Sequence, residues 1–82
     1  MISVEYEVAC QTIGQLIGRQ AELIATEEAR AEPDTTKLSA AVAKRAELIA
    51  ARESLEPSDS SAIKEALAKY GPLARGLQNR RE

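Results

Sequence analysis

Few side chains in this sequence are of a type that performs covalent chemistry. Cys10 is the single cysteine and histidine is absent, so the thiol has no imidazole to deprotonate it and no neighbouring cation in sequence to stabilise a thiolate. A lone thiol forms no intramolecular disulfide, and without histidine it cannot complete a structural zinc site. Glu27, Glu28 and Glu32 set carboxylates on adjacent turns, a donor set suited to a hard cation, yet acids at the end of a solvated helix are ordinarily surface charge. The four glycines are scattered and make no strand-to-helix loop that would cradle a phosphate. The expectation is a protein that is not an enzyme and needs no metal or cofactor.

Charge is more informative than motif. Residues 1–34 hold seven acids and two bases, residues 35–59 four of each, and residues 60–82 two acids and five bases. The balances of −5, 0 and +3 give the net −2. One reading sets the acidic first segment beside the basic last one, each neutralising the other. The other makes Lys64, Lys69, Arg75, Arg80 and Arg81 a contact surface for nucleic acid or an acidic protein, each base adding a salt-sensitive increment to binding. A pI near 5.2 and the lack of a recognition helix with base-reading side chains weigh against nucleic acid.

The elements that position these groups are set off by two proline-centred breaks, at 32–36 and 56–61. Proline cannot continue the preceding helix, while Asp34 and Ser58 or Asp59 can accept from the orphan amides of the next one. Between the breaks alanine, leucine, glutamate, lysine and arginine predominate, which is a helical composition. Apolar residues recur at spacings of three and four in three segments, expected as helices over about 3–31, 35–55 and 60–78. Gly71-Pro72 inside the third predicts a kink, or a cap at Gly71 with a short final helix after it.

Ile2, Val4, Tyr6, Val8 and Cys10 alternate with Ser3, Glu5, Glu7 and Ala9, which is also a half-buried strand pattern. With no second strand in the chain, such a strand would pair only between molecules, as in ribbon-helix-helix dimers. Glu5 and Glu7 would then face DNA with the wrong sign. An extension of the first helix is the other reading. Residues 19–25 and 44–50 share the word Ala-Glu-Leu-Ile-Ala, either a duplicated helix–turn unit or a recurring amphipathic phrase.

The short turn at Pro33 predicts that the first two helices pack antiparallel, with facing residue numbers summing to about 67. That register opposes Ala21 to Ala46 and Gly18 to Ile49, and makes Gly14 and Gly18 candidates for close helix contact. It also ends the second helix level with Thr12, leaving an apolar projection on the order of 15 Å long. The projection needs a cover: the third helix, a second copy or a foreign partner.

All this predicts a single all-α domain over residues 1–82: an antiparallel hairpin with a third, kinked helix packed across it as a three-helix bundle, dimeric. The expected function is a small non-catalytic protein–protein interaction module, an adaptor, co-chaperone or accessory factor. Its interface is expected at Ile2, Val4, Tyr6, Val8, Ile13, Leu16 and Ile17, with Tyr70 and Leu77 as lesser candidates. The alternative is a dimeric helical nucleic-acid-binding regulator using the C-terminal bases. No run approaches the roughly 20 apolar residues of a membrane span, and no secretory signal is visible, so a reducing cytoplasmic setting is expected.

Overall fold

The computed structural model describes residues 4–79, with side chains through Leu77. The described chain folds as three helices, α1 (Val4–Glu28), α2 (Thr35–Ser54) and α3 (Ser60–Asn79), with no strand among the described residues. Val4 to Cys10 are the opening turns of α1. The alternating pattern yields to helix because a helix satisfies its own backbone amides, whereas a lone strand leaves them unpaired.

Both breaks work as stop and start. Asp34 caps α2, its carboxylate accepting from the Thr36 and Lys37 amides at 3.0 and 3.1 Å. Asp59 does the same for α3: its side chain accepts from the Ala62 amide at 3.0 Å and its carbonyl from the Ile63 amide at 3.1 Å. Such caps contribute about 1 kcal/mol each.

No helix end or cap falls at Gly71-Pro72. α3 runs through it as one helix with Pro72 inside, and no described glycine has a positive φ, so there is no left-handed cap. Two local facts make this tolerable. The carbonyl that Pro72 cannot bond belongs to Ala68, and both residues are exposed, so water can replace the missing donor. Gly71 has no Cβ, which removes part of the clash a proline imposes on the residue before it.

α1 is the spine. The groove between α1 and α2 is lined by Gln20, Leu23 and Glu27 from one helix and Lys37, Ala40, Ala41 and Lys44 from the other. This antiparallel pairing has facing numbers summing to about 64, three short of the expected register. The glycines do not set it. A Cβ built on Gly18 would meet nothing within 4 Å, and one on Gly14 would meet only the Arg52 guanidinium at 3.6 Å. Hydrophobic side chains set it instead, Leu16 of α1 and Leu48 of α2 sharing one core cluster.

α3 lies alongside α1 rather than across the hairpin. One groove is lined by Val8, Gln11, Thr12 and Gln15 of α1 and by Leu67, Gly71, Ala74 and Arg75 of α3; α3 runs parallel to α1, and matching the two sets in chain order gives an offset of about 59 residues. The core joins Ile13 and Leu16 of α1, Leu48 of α2, and Tyr70 and Ala74 of α3, with Ile17, Ala51, Leu55, Ala66 and Leu77 around it. No Cα of α2 comes within 8 Å of one of α3. The two outer helices meet only through side chains over α1.

The result is an open molecule of 48 × 28 × 18 Å with a radius of gyration of 14.4 Å, against about 12 Å for a compact chain of this length. Its accessible surface is 5854 Å², roughly 1,000 Å² more than the ~4,800 Å² expected of a compact monomer of this mass.

Candidate interaction surface

The residues expected at a partner interface fall into three groups. Ile13 and Leu16 are 0% and 7% exposed and belong to the intrachain core, so they are not available to a partner. Their helical spacing marked a buried face correctly, but α3 packs on α1 and covers it. Tyr6 and Ile17 are half-buried, and Ile17 packs on the core cluster. Val4 and Val8 stand open at 76% and 43%. Ile2 lies outside the described residues. Of the lesser candidates, Tyr70 is a core residue and Leu77 half-buried against it.

The projection is shorter than the sequence register implied. The α2–α3 connection reaches back far enough for the Glu56 carboxylate to act on Tyr6, and α3 runs beside Val8. The inner side of the opening turns is sheltered, Ala9 being 1% exposed, while the Val4/Val8 side is not. The Tyr6 phenol is held above its ordinary value of 10.0, first by its hydrogen bond and charge interaction with Cys10 one turn on, then by partial burial and by Glu56. Cys10 is a half-buried free thiol.

Three of the five large apolar side chains left exposed among the described residues, Val4, Val8 and Leu23, are on α1. At 3.6 residues per turn they lie within about 100° of arc, so they form one stripe rather than a scatter. Gln11, Gln15 and Arg19 fall between them and are also exposed. Leu73 of α3 and Val42 of α2 are the other two.

Beyond the end of α3 the hairpin face that α3 would have continued to cover stays open, a groove of 590 Å³ floored by Leu23, Ala40 and Ala41 and rimmed by Lys37 and Lys44. One wall is Glu27, which is not surface charge as the sequence suggested. Its side chain is buried and accepts from the Arg30 guanidinium at 2.9 Å and from the Asp34 amide at 2.7 Å. The carboxylate thus ties the end of α1 to the cap of α2. No cluster of acids, cysteines or histidines among the described residues has the arrangement of a metal site.

The expected basic surface is divided. Lys64 and Arg75 project about 20° apart on α3, whereas Lys69 is turned about 140° from Lys64, its ammonium 5.2 Å from the Tyr70 ring centroid. Arg80 and Arg81 lie outside the described residues. The ion pairs among the described residues are all within α1, α2 or the first turn: Arg19–Glu22, Lys44–Glu47 and Arg30–Glu27. The acidic α1 and the basic α3 are therefore neighbours without a direct salt bridge.

Comparison with known proteins finds no matching family model, no matching curated protein and no matching solved structure. The functional reading accordingly rests on the surface itself. Among the described residues no helix is long and apolar enough to cross a membrane. Sequence reasoning missed Leu23, Leu73 and the open end of the hairpin groove. Helical spacing gave no signal for Leu23, which lies seven residues from the buried Leu16 and four from the buried Glu27.

Proposed function

We propose that this protein is a small, non-catalytic protein–protein interaction module of the cytoplasm, an adaptor or accessory factor that binds through one face of α1. The observation that supports it most is the stripe of Val4, Val8 and Leu23, three exposed apolar side chains aligned on one helix. Water-exposed apolar groups cost about 25 cal/mol per Å² relative to burial, so an aligned set is a surface whose covering is favourable. The open shape and excess surface area point the same way.

The nucleic-acid reading would need the C-terminal bases to act together. Lys64 and Arg75 share a flank while Lys69 lies against Tyr70, which favours the apolar surface over a phosphate-tracking row. A phosphate binder would weaken steeply between about 50 and 200 mM salt, and an apolar interface would not.

A photoreactive residue replacing Val8 tests the module in the cells that make it. Protein adducts are expected from that position and not from the same residue replacing Ala43, an exposed site on α2. Adducts from neither position, or equally from both, would remove the assignment.

A further inference from the structure

We propose that the partner bound by α1 is a second copy of this chain, the two α1 helices running antiparallel about a two-fold axis. The inference rests on the interaction-module reading and specifies its partner.

A two-fold interface requires that if residue i meets residue j, then j meets i. Any antiparallel pairing of α1 with its own copy meets this condition, so the register is set by which exposed side chains it covers. With facing numbers summing to 27, Val4 meets the partner's Leu23, Val8 meets the partner's Arg19, and the half-buried Thr12 meets the partner's exposed Gln15. The axis passes between Thr12 and Gln15. The two valines and the leucine, exposed at 76%, 43% and 37% in the single chain, are then covered at both ends of the seam. The aliphatic stem of Arg19 covers Val8 while its guanidinium reaches the rim.

Charge selects the same pairing. Glu5 lies within one turn of Val8 and projects to the seam side of α1, so it comes near the partner's Arg19, whose own exposed pair with Glu22 is long at 3.5 Å. α3 adds cations on the flank beside the stripe. Arg75 borders the groove with Gln15 and Gln11. By the 59-residue offset Lys64 is level with Glu5, which this register brings opposite the partner's Glu22, so a cation lies at the height of two acids that would otherwise repel. The acidic α1 and basic α3 thus complement each other between copies.

The test is light scattering on the full chain, with circular dichroism on each variant. Wild type is expected at twice 8.9 kDa by about 100 μM, where mass action favours association. Val8→Asp should be monomeric at that concentration with unchanged helicity. Arg19→Glu, which sets an acid against Glu5, should weaken association by about tenfold or more, and Glu5→Arg in the same chain should restore part of it. Val42→Asp, on α2, should leave the dimer intact. Should Val8→Asp unfold, the Arg19 and Glu5 pair of variants decides alone. A wild-type monomer at the highest concentration overturns self-pairing, and Val8 adducts of non-doubled mass would then identify a foreign partner and leave the module reading standing. A dimer indifferent to Val8→Asp and to Arg19→Glu overturns the seam.

Discussion

Glu27 shows how one carboxylate fixes a turn. It closes the α1–α2 connection by accepting from a backbone amide seven residues on and from Arg30. Glu27→Ala leaves the Asp34 amide without its acceptor and the cap displaced, at a cost of about 1–3 kcal/mol; urea denaturation should show a lower midpoint with little change in slope. Glu27→Gln retains an acceptor and should lose less. Nothing in the sequence separated Glu27 from Glu28 or Glu32. All three are acids near a helix end, and burial was decided by how the chain turns at Asp34, which helical periodicity does not encode. Tyr6 makes one contribution to the pH dependence whose direction follows from its surroundings. Its folded-state value lies above 10.0, so the unfolded chain releases the proton first and stability falls as pH rises above about 10. Below that the neutral phenol is present in both states and the contribution is complete. Tyr6→Phe should flatten the alkaline fall in a melting-temperature profile; an unchanged profile would assign the fall to other groups.

At the scale of the helix, the three elements were legible because their signals are local. Proline punctuates, Asp34 and Asp59 cap, and leucine and isoleucine recur at three and four, so the helices follow from residues that act on their own neighbours. The passage of α3 through Gly71-Pro72 was not legible in the same way. A helix interior proline costs about 3 kcal/mol, and whether the chain accepts that cost depends on what the rest of α3 buries: Ile63, Tyr70 and Ala74 are all within 6% exposure and flank the proline on both sides. Removing the defect should therefore stabilise. Pro72→Ala is expected to add about 1–3 kcal/mol, read as a higher urea midpoint. A loss of stability would mean that Pro72 packs in a way its exposure does not indicate. The hairpin register was nearly legible, but the register read from the short turn at Pro33 falls three residues away from the pairing of Leu16 with Leu48. The candidate surface divides similarly. Val4 and Val8 were legible as apolar residues beyond the hairpin's reach. Ile13 and Leu16 were not separable from them, because period alone does not say which of two neighbours covers a stripe.

In the whole molecule, α1 packs on both neighbours while α2 and α3 keep their backbones apart. Ile13, fully buried within the shared cluster, should report on both. Ile13→Ala is expected to cost about 2–4 kcal/mol and to speed amide hydrogen exchange in α2 and α3 alike. Acceleration confined to one of them would show that the outer helices are held by separate contacts. The wiring also bears on how this chain tolerates change. An insertion, a fused tag or a drifting sequence on the outward side of α2 or α3 disturbs one attachment and leaves the other in place, whereas the same alteration on α1 disturbs both at once. Natural variants and engineered fusions should accordingly accumulate on the two flanking helices and spare the axle between them.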